Sequence, residues 1–254
     1  MRLRHLTLIC LGISLLQCGS ENRRFLKAKL KAQPAADAPA IDYSNALTID
    51  SERVALTKAY FQEHNQALFK TLPSADNLNS IRFTPRMVVV HFTAIETLEK
   101  TLAYFKPNTI ASNRGLVASS GALNVGIQFV VDRDGTIYSS YPDNVMSRHV
   151  IGLNHVAIGI ENVGNADMGT KESETNVPLT KAQLDANVAL IRYLAHKYTT
   201  IAYVIGHYEY QDLEDPNHPA HGLFAEDQPN YRTDKVDPGT KFMAALRKRL
   251  NGKK

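Results

Sequence analysis

Three side chains far apart in the chain have the types a catalytic metal needs: His91, His207 and Asp237. Each histidine ends an apolar run, Met87-Val88-Val89-Val90-His91 and Ala202-Tyr203-Val204-Ile205-Gly206-His207, and the aspartate sits in Lys235-Val236-Asp237-Pro238-Gly239. Two imidazoles and a carboxylate supply three ligands to Zn²⁺ and leave the fourth position to water, the arrangement of a metal-assisted hydrolase. Lys235, two residues before the aspartate, would add a cation beside the metal. Taken singly, each residue reads as readily as structural. A histidine at a strand end is commonly a satisfied core residue, and ligands scattered along a chain obey no spacing rule. The residues alone therefore leave both readings open. The chain has no His-Glu-x-x-His pair, so a helical zinc-protease site is not supported.

Such residues can meet only if the intervening elements bring them together. The β-branched run Met87–Phe92 predicts a buried strand. Thr93-Ala94-Ile95-Glu96 fits a capping box opening a helix that runs to Phe105. Asn124–Val131 and Thr136–Tyr141 read as two strands joined by the turn Asp132-Arg133-Asp134-Gly135, in which Gly135 suits positive φ. Val156–Val163 is a strand, apolar except for Glu161, and Ile201–Ile205 is the strand leading to His207. Near-helical apolar spacing predicts a helix from Ser51 to about Leu72. A second capping box, Thr180-Lys181-Ala182-Gln183, opens a helix whose apolar face is Leu184, Val188, Ile191 and Ala195, and Phe242–Leu250 closes the chain. Gly164–Pro178 and the long stretch Tyr208–Thr233 read as loops, the latter bordering a cleft. Its Asp215, His218, His221 and Glu226 could be mistaken for ligands. The sum is a single α/β domain with a central mixed sheet flanked by helices.

The start of the chain has a different character. Arg2 and Arg4 precede the apolar stretch Leu6–Leu16, which is too short to span a bilayer comfortably, and Leu15-Leu16-Gln17-Cys18-Gly19-Ser20 follows. This resembles a bacterial lipobox with Cys18 as the lipidated residue, although Gln17 stands where a small residue is usual. A lipid anchor on Cys18 would make the membrane a partner and place the protein in the bacterial cell envelope, on the outer membrane facing the periplasm. A plain cleaved secretory signal is the alternative. Cys10 and Cys18 are the only cysteines, so the exported body has neither a disulfide nor a thiolate ligand. Residues 19–50, with a basic stretch and then Ala32–Ala40 rich in alanine and proline, read as a flexible tether, and 51–254 as the folded domain. Without Arg2 and Arg4 the chain carries 27 basic and 25 acidic residues, a balance that gives no sign of nucleic-acid binding.

Six segments in order extend the site. They are Val88-Val89-Val90-His91-Phe92-Thr93-Ala94; Phe129-Val130-Val131-Asp132-Arg133-Asp134-Gly135-Thr136-Ile137-Tyr138; Arg148-His149 with Gly152-Leu153-Asn154; Ala157-Ile158-Gly159-Ile160-Glu161; Val204-Ile205-Gly206-His207; and Lys235-Val236-Asp237-Pro238-Gly239. Through them, from about Arg86 to Phe242, the chain resembles the zinc-dependent N-acetylmuramoyl-L-alanine amidases of the amidase type 2 family, which share a fold with peptidoglycan recognition proteins. The resemblance implies that His91, His207 and Asp237 bind Zn²⁺, that Glu161 is the general base, that Lys235 stabilises the oxyanion and that His149 meets substrate at the cleft edge. Asn154 is placed with His149 as a substrate residue, or as one that orders the turn before the Glu161 strand. The implied substrate is peptidoglycan or a muropeptide. One branch of the family has a tyrosine in the strand before the hairpin; here Ile127 occupies that position, so the chemistry rests on Glu161. The alternatives are a protein that binds muropeptide without cutting it and a secreted effector aimed at other cells.

Overall fold

A computed structural model describes residues 38–164 and 178–252. The expected signal segment with Cys18, most of the proposed tether and residues 165–177, nearly all of the stretch read as a loop after Gly164, lie outside the described residues. The folded chain comprises β1 (Ile41–Asp42), α1 (Ser51–His64), α2 (Gln66–Phe69), a 3₁₀ turn (Leu78–Ile81), β2 (Met87–Phe92), α3 (Leu98–Phe105) and α4 (Leu116–Ser119). It continues with β3 (Phe129–Val131), β4 (Ile137–Ser139), β5 (Ala157–Asn162), α5 (Lys181–Lys197), β6 (Tyr203–Gly206), 3₁₀ segments His207–Glu214 and His221–Leu223, and α6 (Thr240–Leu250).

The six strands form one mixed sheet in the order β1-β4-β3-β5-β2-β6, with only the β3–β4 hairpin antiparallel. β2 lies between β5 and β6, parallel to both. Because side chains alternate across a strand, β2 serves two cores. Val88 and Val90, with Ile158 and Ile160 of β5, pack on Leu190, Ile191 and Leu194 of α5 and Met243 and Leu246 of α6. Met87, Val89 and Ala157 face the opposite side, among Val54, Tyr60 and Phe61 of α1 and Tyr210 and Leu213. By the same alternation, His91, Gly159 and Glu161 project to the α1 side.

Local chemistry sets the element boundaries. The Thr180–Gln183 capping box forms as expected: Gln183 N–H donates to Thr180 Oγ1 (3.0 Å) and Thr180 N–H to Gln183 Oε1 (2.9 Å). The hairpin turn also forms, with Gly135 at φ 92° and its N–H donating to Asp132 O at 2.9 Å.

Four expectations need correction. The helix from Ser51 breaks at Asn65, which ends α1 and whose side chain caps α2 by accepting from Leu68 N–H at 3.0 Å. Thr93 does not cap α3. Its hydroxyl bonds Ile95 N–H and Gly164 N–H while Ala94 turns at φ 52°, and Thr97 is the cap, accepting from Lys100 N–H at 3.2 Å. The strand expected from Asn124 joins the ladder only at Phe129: at Gln128 the side chain makes the bond toward β5, with Oε1 accepting from Gly159 N–H, while Nε2 donates to Val145 O and Ser147 Oγ and the main-chain O accepts from Ser140 N–H. The folded unit also starts earlier than residue 51, because Ile41 and Asp42 pair with Ile137 and Tyr138 at the sheet edge. Among the described residues no helix is long and apolar enough to cross a membrane.

Candidate active site

Sheet register brings the two histidines together. Val90 pairs with Gly206, so the next residues, His91 and His207, leave adjacent strand ends side by side. The turn before α6 delivers Asp237 and is anchored by Tyr208 N–H donating to Asp237 O at 3.1 Å. Gly206 permits this approach, because a Cβ there would lie 3.0 Å from Pro238 Cδ and 2.7 Å from the Tyr208 ring. The result is a buried cluster. His91 Nδ1 and His207 Nδ1 are 2.9 Å apart, and Asp237 Oδ2 lies 3.2 Å from the first and 3.0 Å from the second.

Hydrogen bonding behind His91 fixes what its inner nitrogen can do. Ala157 O, which can only accept, is 3.3 Å from His149 Nε2, so that nitrogen carries the proton. His149 Nδ1 is then an acceptor, 3.1 Å from His91 Nε2, which must donate to it. His91 Nδ1 is left with a lone pair aimed at His207 Nδ1 and Asp237 Oδ2. Burial drives the pKa of His149 well below the ordinary histidine value, with His91 adding to the effect, which keeps it the neutral acceptor this chain requires.

His207 is likewise held neutral: burial lowers its pKa to about 4 against the opposing pull of Asp237. Burial works against the charge of Asp237, yet the two facing imidazoles hold its carboxyl well below the usual range. A carboxylate and at least one imidazole lone pair thus converge with separations near the roughly 3.3 Å edge of a tetrahedron with ~2.0–2.1 Å metal–ligand bonds. That donor set fits a zinc ion. Among the described residues, His91, His207 and Asp237 are the one group of histidine and acidic side chains arranged to hold a metal.

Glu161 and Lys235 complete the centre. Glu161 is the register partner of His91 on the adjacent strand, so both side chains stand on the same face. Its Oε2 is shut off from solvent with no hydrogen-bond partner. Burial, reinforced by Asp237 and opposed by Lys235, raises its carboxyl well above the ordinary range. Half-buried Lys235 acts electrostatically on both Glu161 and His207.

The structure gives His149 a further part and corrects the assignment of Asn154. His149 stands behind His91 as the acceptor that sets its tautomer. Gly159 makes room for it: a Cβ there would fall on Ile127 Cδ1 and 2.9 Å from His149 Nδ1. A glycine inside the buried run Ile158-Gly159-Ile160 was the sequence signal for that close approach. Asn154 is not placed to meet substrate. It is 3 % exposed, its Oδ1 accepts from His149 N–H and Val150 N–H at 2.9 Å each, and its Nδ2 donates to Tyr60 Oη at 3.3 Å. Its role is to order the turn. The acidic and imidazole groups of the 208–233 stretch are engaged elsewhere, His221 with Leu213 O, Asp215 with Asn217 and Glu226 with His64.

A buried His–His–Asp cluster beside the ends of parallel strands, with a carboxylate and a cation near it, gives this α/β protein a donor set that could hold a metal ion. A family model described as N-acetylmuramoyl-L-alanine amidase matches residues 82–240, and the chain belongs to that family. The endolysin of Escherichia phage T7 is 32% identical over 78 residues, covering 31% of this chain and 50% of that protein. The endolysin of Klebsiella phage KP32 is 34% identical over 80 residues with the same coverage. The chain therefore spans about half the length of the curated relatives it matches. Among solved structures, an endolysin N-acetylmuramoyl-L-alanine amidase from Clostridium intestinale is similar at 28% identity, covering 56% of this chain and 82% of that one with a TM-score of 0.37.

Proposed function

We infer that this protein is a zinc-dependent N-acetylmuramoyl-L-alanine amidase that hydrolyses the amide between the lactyl group of N-acetylmuramic acid and the L-alanine of the stem peptide. Family membership over residues 82–240 supports the reaction class. The observation that carries the mechanism is the convergence of His91, His207 and Asp237 beside Glu161. Zinc held by those three ligands supplies Lewis-acid activation of water near neutral pH. Glu161 takes a proton from the attacking water and passes it to the departing nitrogen of L-alanine, a task suited to a carboxyl whose pKa burial raises above the ordinary range. Lys235 stabilises negative charge as it develops on the lactyl carbonyl oxygen. His149 holds His91 in the tautomer that leaves Nδ1 unprotonated. The C–N bond breaks, hydroxide adds to the lactyl carbon, and the peptide leaves with a free amino terminus. Export and lipidation at Cys18 would tether the enzyme at the envelope, beside a polymeric substrate that cannot diffuse to it.

Mass spectrometry of defined muropeptides after incubation with the zinc-loaded protein tests this reading. The expected products are a free muramic-acid glycan and a stem peptide beginning with L-alanine. Intact muramoyl–alanine bonds would overturn it, and binding without cleavage would assign a recognition role instead.

A further inference from the structure

On the face of the sheet that carries the site, two buried polar atoms have no hydrogen-bond partner among the described residues: Glu161 Oε2 and Tyr104 Oη. The reaction above uses the first and leaves the second idle. Tyr104 lies in the last turn of α3, where Asn124 Nδ2 donates to its carbonyl at 2.9 Å. Its half-buried ring packs on the apolar cluster of Phe105, Ile127, Val130 and Val163. Val130 is the register partner of Glu161 on β3. Paired side chains share a face, so Tyr104 covers the strip of sheet next to the carboxylate. The hydroxyl is near enough to Glu161 to feel its charge: burial raises its pKa, Arg114 and Arg148 oppose and Glu161 adds. It is a protonated donor near neutral pH.

The site forms a row across the strand ends. Lys235 enters with the turn packed on β6, His207 follows β6, His91 is on β2, Glu161 on β5, and Tyr104 stands over β3, the next strand along. With the oxyanion held from the Lys235 side and the departing nitrogen protonated by Glu161, the peptide attached to that nitrogen leads away from Lys235, past β5 toward β3. Beyond the nitrogen, past the alanine Cα and its methyl, the first polar atom of the peptide is the carbonyl oxygen of L-alanine, an acceptor. A hydroxyl donor on the β3 side of Glu161 complements it. Over the Tyr104 ring lies the long, exposed side chain of Arg114, its guanidinium 5.0 Å from the ring centroid, so this wall can open by a rotamer change without a change of fold. A buried donor without a partner carries a desolvation cost in the empty site that a bound acceptor removes.

We propose that Tyr104 is a substrate-binding residue on the leaving-group side of the cleft, its hydroxyl donating to the carbonyl oxygen of the L-alanine that the reaction releases. The direction of the peptide rests on the amidase reading; the unpartnered donor beside Glu161 does not. The contact asks for a carbonyl at that position, and so selects amides of amino acids over amides of simple amines.

Tyr104→Phe in the full zinc-loaded protein deletes the hydroxyl alone. Two substrates read the contact: N-acetylmuramoyl-L-alanine amide, and the N-acetylmuramoyl amide of isopropylamine, in which a methyl group replaces the carboxamide. On the first, kcat/KM of Y104F should fall about 3- to 10-fold; on the second it should be unchanged. The different reactivity of the two leaving amines is common to both proteins and cancels in the comparison. The thermal midpoint of Y104F should equal or exceed that of the wild type, because a buried hydroxyl without a partner is removed, and zinc content should be unchanged. A loss under twofold on the alanine substrate, or an equal loss on both substrates, overturns the proposal. For a compound that is bound but not cut, calorimetric Kd values give the same contrast. A wild type that binds both compounds and cleaves neither would therefore end the amidase reading, while the Kd ratios of Y104F to wild type still decide the part of Tyr104.

Discussion

Replacing His149 by leucine removes the acceptor of His91 Nε2–H, 3.1 Å away in the folded protein, while leaving all three candidate metal ligands in place. His91 is 2 % exposed, so its orphaned N–H has little access to water. Leaving a buried donor unsatisfied costs about 1–3 kcal/mol. His91 can escape that cost by moving its proton to Nδ1, but that nitrogen is the one facing His207 and Asp237, and metal binding must then expel the proton. Either route charges the penalty to the metal-bound state. The expected loss of zinc affinity is therefore about 5- to 150-fold, bracketing the 10- to 100-fold typical of removing a ligand's hydrogen-bond partner. Competition against a chromophoric chelator measures it without any turnover. His149→Asn, which offers a carbonyl acceptor, should recover part of the loss. Zinc affinity of H149L within twofold of wild type would refute the tautomer chain from Ala157 O to His91 Nδ1 and return His149 to a substrate-contacting role.

Further outcomes follow from the same geometry. Glu161→Gln should keep zinc bound but lower kcat for a muropeptide by about 10²- to 10⁴-fold, and turnover within tenfold of wild type would place the general base elsewhere. Lys235→Met should reduce kcat by about 10²- to 10³-fold with zinc content unchanged, checked by steady-state kinetics alongside metal analysis. Half-buried His155 gives a pH test of stability: burial lowers its pKa from 6.5 to about 4. The unfolded chain takes up this proton near 6.5 and the folded chain only near 4. Stability should therefore be unaffected above 6.5 and decline across that window, by about 3 kcal/mol, to a floor below about 4. His155→Gln should remove that part of the acid destabilisation in urea titrations. An unchanged pH profile in the variant would show that His155 is not its source.

Legibility from sequence followed how local the determining interaction is. The Thr180–Gln183 box and the Asp132–Gly135 turn close within four residues, and both form as read. Thr93 and Thr97 could not be separated by pattern, because what redirects Thr93 is a bridge from Ile95 to Gly164, about seventy residues away. β1 is two residues long and has no period to detect. The clustering of His91, His207 and Asp237 could be anticipated because each member sits at a strand end or in a distinctive turn, and because the order of the surrounding motifs resembled a known family. The part played by His149 was not visible. It depends on Ala157 O as a pure acceptor and on the gap above Gly159, both set by tertiary packing. The pairing of His64 with Glu226, 162 residues apart, left no trace in composition or spacing.

Why a carboxylate stands beside the His91–His207–Asp237 cluster at all is a matter of register. β2 and β5 run parallel from Met87↔Ala157 to Phe92↔Asn162, which puts His91 opposite Glu161. Side chains alternate with a period of two, so Gly159, Glu161 and His91 share the α1 face, while Ile158 and Ile160 enter the core beneath α5. A one-residue slip of β5 would exchange these sets, driving Glu161 toward Leu190 and Leu194 and bringing isoleucines into the cleft. The apolar core beneath α5 therefore resists any register that misplaces the carboxylate. The buried hydrophobic residues of β5 and the raised pKa of Glu161 have one origin: a strand that must be apolar on one face to pack, and that presents its single acidic side chain from the other, in low-dielectric surroundings that push its carboxyl well above the ordinary range.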